Sequence, residues 1–371
     1  MSGLNCTKIE NMGRNGQPKK SKVLKIGSLN CHGMRDKVDY PEFLKLVSTT
    51  DIFGVCETWL KENDDIHLPG YKFYPQNRKK EAGPSKGGIG FFINNNIKKH
   101  VKIRYDLSSE NFLICRILKK ILGFNDDTYV AIVYIPPELS SREKRLKKDH
   151  FKHLIEITSK INSNNIILVG DFNARTAGLD DTLKKDKHDI LVPDFYTRIE
   201  SKRSNQDLTR NKYGTKLIEY CVATGSYIAN GRTLGDLQGK FTCHQKNGSS
   251  TVDYAVVNES LHHLVRKFMV LDLSLGSDHC PIVIDIDMKT EKELSNSEVK
   301  DTLPSIPWND KTRMLLLNKL SSDEVQNSLK EIENLVDSNA GNIDDIIIKL
   351  TDIFNVTPTT TKRKKKSRPP P

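Results

Sequence analysis

No apolar run in the sequence approaches the ~20 residues that a bilayer-spanning helix needs, so no helical membrane span is expected. The first twenty residues, MSGLNCTKIENMGRNGQPKK, lack the apolar core of a secretory signal, and a soluble, intracellular protein is expected. Cysteine is sparse and unpatterned: seven residues, an odd number, with no Cys-x-x-Cys pair. That spacing argues against both a disulfide framework and a zinc site. Cys31, Cys56, Cys115 and Cys280 lie in or beside apolar runs, where a free thiol packs as a small hydrophobe. Only 36% of the residues are apolar, enough for one core with polar ends. Acidic residues are in deficit, 47 against 58 Lys and Arg, which leaves a net charge of +11. A surplus of that size favours polyanionic partners wherever a phosphate-handling site accompanies it.

What is present is a dense series of short apolar runs between positions 23 and 288. VLKIGSLN, DIFGVCET, GGIGFFI, NFLICRIL, TYVAIVYIPP, NIILVGDFN, VDYAVV, FMVLDLSL and PIVIDIDM each read as a strand bounded by turn residues. Helices are expected over 41–47, with Phe43, Leu44 and Val47 apolar, over a strongly basic 140–161 with an apolar stripe, and over 214–224. Strands apolar throughout, such as NIILVG, imply sheets covered on both faces. The fold class expected is α/β, a four-layer α/β/β/α sandwich of two mixed sheets with a C-terminal helical appendage. The expected organisation is a flexible lead at 1–21, one domain over 22–289, a linker at 290–306, a helical segment at 307–356 and a basic, disordered tail at 357–371. The basic run at 362–368 reads equally as a nuclear-localisation or phosphate-binding patch and as an ordinary solvated charge run.

Two strings carry chemistry. Gly170-Asp171-Phe172-Asn173 closes the strand NIILV and projects a carboxylate and an amide, two residues apart, from a strand end. Ligands of open α/β sheets gather at such rims. There a carboxylate can orient or deprotonate a water, and an amide can donate to a phosphate oxygen. Ser277-Asp278-His279 precedes the strand PIVIDIDM and is weak alone, since a turn histidine is often satisfied by its neighbours. It has company, however: Asn30, Glu57, Tyr134 and Asp253 also sit within or at the ends of apolar strands. Burying each unpaired would cost about 1–3 kcal/mol, so convergence on one site is the economical explanation.

Asn30, Glu57, Tyr134, Asp171 with Asn173, Asp253 and Ser277-Asp278-His279 resemble, in order, the motif series of the endonuclease/exonuclease/phosphatase superfamily, over most of the chain. Glu57-Thr58-Trp59-Leu60, Asn230-Gly231-Arg232-Thr233, Gly239-Lys240-Phe241-Thr242 and the run from Gly248 to Tyr254 are similar to the AP-endonuclease-like endonuclease domains of non-LTR retrotransposons. The resemblance implies a Mg²⁺-dependent DNA endonuclease, with Mn²⁺ as the alternative ion, that leaves a 3′-hydroxyl. It implies Glu57, Asn30 and Asp278 around the metal, Asp171 directing the water, and His279 held by Asp253 at the scissile phosphate. Asn173 and Tyr134 are implied on phosphate oxygens, with Ser277 facing substrate and Thr242 read equally as facing DNA near the nick and as an ordinary strand residue.

Two positions depart from the pattern. His32 stands where many members have an acidic or amide residue, and Thr251 stands where AP endonucleases have Arg. The tryptophans, Trp59 and Trp308, are remote in sequence from 251–254, where an abasic-sugar pocket would need one. Other readings are a phosphoesterase of the same superfamily acting on inositol phosphates, lipids or RNA, and a non-catalytic nucleic-acid-binding remnant. No Tyr-x-Asp-Asp turn occurs in the sequence, so a reverse transcriptase, if there is any, would be supplied elsewhere. DNA is the partner implied, without a membrane, in an intracellular and nuclear setting.

Overall fold

In a computed structural model, which describes residues 22–78, 87–138, 140, 149–182, 202–273, 276–288 and 318–337, the apolar runs become strands. They are long enough for a strand's period and too short for a helix. In chain order the strands are β1 (Val23–Asn30), β2 (Ile52–Cys56), β3 (Tyr71–Gln76), β4 (Ile89–Asn94), β5 (Val101–Ile103), β6 (Phe112–Ile117) and β7 (Thr128–Tyr134). There follow β8 (Ile166–Asp171), β9 (Ser226–Ile228), β10 (Cys243–Gln245), β11 (Gly248–Ser250), β12 (Asp253–Asn258), β13 (Val265–Val270) and β14 (Ile282–Asp287). The helices are α1 (Pro41–Ser48), α2 (Lys119–Leu122), α3 (His150–Thr158), α4 (Lys212–Thr224), α5 (Glu259–His262) and α6 (Asp323–Asp337). Every apolar run read as a strand overlaps one. The strands not foreseen are β3, an edge strand with exposed Lys72 and Pro75, and the three-residue β5, β9, β10 and β11.

Two six-stranded sheets result, in the orders β13-β14-β1-β2-β4-β3 and β5-β6-β7-β8-β12-β9, with β10 and β11 as a separate hairpin. Each large sheet is mixed, because each holds one parallel pair, β1 with β2 and β7 with β8, among antiparallel neighbours. A parallel pair needs a crossover, supplied by the segments carrying α1 and α3. Three apolar clusters separate four layers. Phe43 and Val47 of α1 pack on Leu29, Phe53 and Phe92 of the first sheet. Ile26, Ile52, Phe91 and Ile284 meet Leu113, Ile132, Ile167 and Ala255 between the sheets. Ile114, Val133, Leu168 and Val256 of the second sheet meet Phe151 and Leu154 of α3 and Leu217 of α4. The expected α/β/β/α sandwich is the fold observed.

The helix expected over 140–161 is shorter where it is described. The Asp149 carboxylate accepts the Lys152 amide at 3.2 Å and caps α3, which ends at Thr158. The basic positions Arg142, Lys144, Arg145, Lys147 and Lys148 lie outside the described residues, as do the lead at 1–21, the linker at 290–306 and the tail at 357–371. Residues 297–371 form a second compact unit, and its described part contains α6. There Val325, Leu329 and Ile332, at i, i+4 and i+7, form the apolar stripe of a helix.

Register decides where the polar strand ends fall. β1 and β2 run in parallel with Asn30 beside Cys56, so Glu57 emerges at the tip of Asn30. β7 and β8 run in parallel with Tyr134 beside Asp171. β12 is antiparallel to β8 and opens with Asp253 opposite Asp171. β14 is antiparallel to β1, with Ile282 opposite Ser28, and brings residues 277–279 to the same rim.

Candidate active site

Asn30 joins the two sheets. Its Nδ2 donates to Glu57 Oε1 at 3.1 Å and to Asp171 Oδ2 at 2.9 Å, and its Oδ1 accepts the His32 amide at 3.1 Å. Glu57 Oε1 also accepts from the Tyr134 hydroxyl at 2.9 Å. On the other carboxylate, Asp171 Oδ1 accepts the Asn173 amide at 2.9 Å and Oδ2 accepts Asn173 Nδ2 at 3.0 Å. The same Nδ2 donates to the Ile135 carbonyl at 2.8 Å. His279 Nδ1 lies 2.8 Å from Asp253 Oδ2. Asp171, Asp253 and His279 each offer a ligand atom within 4.8 Å of the others. Glu57, Asp171 and His279, from three separate strand ends, therefore share one site.

The local backbone is bent to do this. His32, Glu57, Trp59 and Asn173 take φ between +45° and +53°, a region non-glycine residues rarely occupy and one that costs of order 1 kcal/mol or more each. At Gly170 φ is +135° and an added Cβ would lie 2.1 Å from the Val133 carbonyl oxygen. The glycine of the Gly-Asp-x-Asn string is thus required by the close approach of β7 and β8.

Burial grades the site. Asn30, Asp171, Asp253, Tyr134 and His279 are buried, while the Glu57, Asp278 and His32 side chains are 16%, 29% and 52% exposed, so the open side lies along those three. Burial pushes the Asp171 carboxyl up to about 7, against the pull of His279 and with the push of Asp253. Burial by itself would lower His279, but the charge and hydrogen bond of Asp253 more than reverse this and hold the imidazole well above its ordinary value. A proton is therefore favoured on His279, beside two carboxylates.

The geometry places several of the expected site residues away from the open side. Thr242 does not face the open side: it is fully buried and its hydroxyl accepts the Val252 and Asp253 amides, both at 3.0 Å. Ser277 is likewise internal, donating to the Asn30 carbonyl at 2.6 Å and accepting the His279 amide at 3.1 Å. Both hydroxyls are thus engaged inside the protein. Tyr134 donates to Glu57, and Asn173 Nδ2 donates to Asp171 and to the Ile135 carbonyl, so in this arrangement both hold neighbouring groups of the rim. Asn230 and Arg232 are internal as well: Asn230 Nδ2 donates to the Asp253 carbonyl at 3.0 Å, and Arg232 pairs with buried Asp181.

Three neighbours were not foreseen in these positions. His32 Nδ1 lies 3.9 Å from both Glu57 Oε2 and Asp278 Oδ1, with its ring against Trp59 at 4.6 Å. Arg78 lies over the Tyr134 ring at 5.5 Å, bringing a cation to the rim. Cys243 pairs in an isolated bridge with His279. Only His32 had a signal, its departure from the motif.

Among solved structures the fold is similar to an AP endonuclease, LMAP from Leishmania major, at 14% identity over 76% of this chain and 92% of that one, with a TM-score of 0.53. Also similar are the endonuclease domain of TRAS1, a telomere-specific non-LTR retrotransposon (15% identity, 72% and 100% covered, TM-score 0.49), and the 3′-5′ exonuclease NExo from Neisseria meningitidis (14%, 71% and 100%, 0.49). No curated protein matches the sequence. A family model, by contrast, matches residues 27–279, a span that takes in every residue of the rim from Asn30 to His279. The chain belongs to the endonuclease/exonuclease/phosphatase family.

Proposed function

We propose that the protein is a divalent-metal-dependent endonuclease that hydrolyses a DNA phosphodiester to leave a 3′-hydroxyl, the target-nicking reaction of non-LTR retrotransposons. The observation that carries this is the gathering of Glu57, Asp171 and the Asp253–His279 pair at one rim, tied together by Asn30.

The residues present suit a hard cation. Glu57 Oε1 is occupied by two donors, whereas among the described residues Oε2 has only His32 Nδ1, at 3.9 Å. Asp278 Oδ1 is buried without a hydrogen-bond partner among the described residues, a cost that a cation would relieve. Glu57 and Asp278 would hold Mg²⁺, with Asn30 fixing Glu57. When bound, the ion supplies charge stabilisation to the phosphodiester in an in-line displacement.

The remaining steps belong to the chain. Asp171, raised toward neutrality by burial, accepts a proton from the attacking water. The amides of Asn30 and Asn173 fix the carboxylate that does so. His279, oriented through Nδ1 by Asp253, turns Nε2 to the scissile phosphate and offers positive charge there. Tyr134 holds Glu57 in place. The net charge of +11 and Arg78 at the rim suit a polyanionic substrate.

The test is relaxation of supercoiled plasmid by purified protein with Mg²⁺, followed by polymerase extension of the nick without prior phosphatase treatment. Relaxation is expected for the parent and to fall by about 10²–10⁴-fold for Asp171→Ala. Release of phosphate from inositol polyphosphates without nicking would replace this reading with another phosphoesterase of the family. Inertness in both assays would leave a binding remnant.

A further inference from the structure

Cys243 is the one cysteine among the described residues that shares a candidate metal cluster with histidine and aspartate. It is placed there by backbone pairing. Cys243 and His279 face each other in an antiparallel bridge, flanked by the Cys280 amide on the Thr242 carbonyl and the His244 amide on the Asp278 carbonyl, both at 2.7 Å. Directly opposed residues carry their side chains on the same face about 4.5–5.5 Å apart at Cβ. The adjacency is therefore a property of the ladder and does not depend on rotamer choice.

We propose that Cys243, Asp278 and His279 form a binding site for a thiophilic divalent cation, Zn²⁺ above all, whose occupancy shuts off the catalytic rim. The three ligand atoms already lie within 4.8 Å of one another. Zinc bonds of about 2.0–2.3 Å to N, O and S would close that set with side-chain shifts of about 1 Å. His279 Nδ1 is committed to Asp253 Oδ2 at 2.8 Å, which leaves Nε2 as the nitrogen that can take a metal: the carboxylate–histidine arrangement that orients imidazole ligands of zinc. Nε2 lies 3.9 Å from Asp278 Oδ1, the buried oxygen without a hydrogen-bond partner among the described residues. Asp278 is partly exposed and so leaves a way in for the ion and room for a water as fourth ligand.

The donor set selects against the catalytic ion. Mg²⁺ takes oxygen ligands and keeps its waters, whereas a thiolate and an imidazole favour zinc and its neighbours in the transition series. Binding releases the thiol proton of Cys243 and any proton on His279 Nε2 to solvent. The inhibitory consequence rests on the endonuclease reading, because it is His279 and Asp278 that zinc would withdraw. The binding itself does not.

Cobalt(II) titration of the full chain separates the two. The parent is expected to show the intense near-ultraviolet absorption of a thiolate–cobalt bond, abolished by an equivalent of Zn²⁺. In Cys243→Ser and Cys243→Ala that absorption is lost. Metal affinity falls by at least about 100-fold, the upper end of what losing even an outer partner of a ligand costs. Both variants keep Mg²⁺-supported nicking and escape its inhibition by zinc. X-ray absorption of the zinc-loaded parent, expected to show a sulfur neighbour, decides the matter should the variants fold poorly. A parent that lacks the charge-transfer band, a band that survives in Cys243→Ser, or an all-oxygen zinc shell overturns the proposal. A protein that nicks but binds no cobalt through sulfur loses only the zinc site. One that binds cobalt through Cys243 but never nicks loses only the endonuclease reading.

Discussion

One amide nitrogen, Asn30 Nδ2, serves carboxylates from both sheets. A side chain of the first sheet thereby fixes the distance between Glu57 Oε1 and Asp171 Oδ2. Glu57 brings a carboxylate to the open side while that of Asp171 is enclosed, and this difference in exposure is what suits them to the two roles proposed. Glu57→Gln keeps the size of the side chain and removes its charge. The Mg²⁺ concentration for half-maximal nicking is expected to rise about tenfold or more, since site charge sets cation affinity. A magnesium titration of plasmid relaxation reads it directly. An unchanged midpoint would remove Glu57 from the metal's surroundings. At this scale Asn30, Glu57, Asp171, Asp253 and His279 were legible because polar residues at the ends of apolar strands are costly unless they converge. Which way Thr242 faces, just ahead of β10, was left open, because it depends on which partner that strand finds.

Among the elements, the exit of β8 is tightly constrained. Gly170→Ala would set a Cβ against the Val133 carbonyl oxygen at a φ of +135°. Either β7 and β8 part or the strand twists, so a loss of about 2 kcal/mol or more is expected in chemical denaturation, with nicking lost even where the protein still folds. The loop beyond β8 is pinned by Asp207, which accepts from Arg175 Nε and Nη2 at 2.8 and 2.6 Å and from the Thr251 amide at 3.0 Å, just ahead of β12. Burial pushes this carboxyl up, but Arg175 and the amides of Thr251 and Thr209 outweigh it and hold the group below the usual carboxylate range. A depressed native value means that the unfolded chain binds the proton more tightly. The stabilisation is thus present above about pH 4 and is lost as pH falls below it. The difference in Tm between parent and Asp207→Asn is expected to be largest near neutrality and to shrink below about pH 4. A pH-independent difference would show that the charge contributes nothing. The long elements were foreseen from their apolar period. The edge strand β3 and the three-residue strands were not, because an edge or a three-residue run buries too little to leave a pattern.

At the scale of the whole molecule, the interface between the sheets is what lets the two halves of the rim meet. Phe91, fully buried at that interface, is the probe. Phe91→Ala is expected to cost about 3–5 kcal/mol, and DNA nicking should fall along with Tm, because Glu57 and Asp171 belong to different sheets. Nicking that survives a large loss of Tm would argue that the rim is held by its hydrogen bonds alone. By itself the sequence determined the family's motif order, the α/β class and the positive balance of charge, all of which are written in local period and composition. Only the tertiary structure decided that Asn30 bridges the sheets, that His32 stands between two carboxylates, and that Cys243 lies against His279 in a protein whose cysteine spacing argued against a metal site. The physical reason is register. Spacing along the chain fixes which side chains sit at strand ends, but the hydrogen-bond ladders between distant strands fix which of those ends become neighbours.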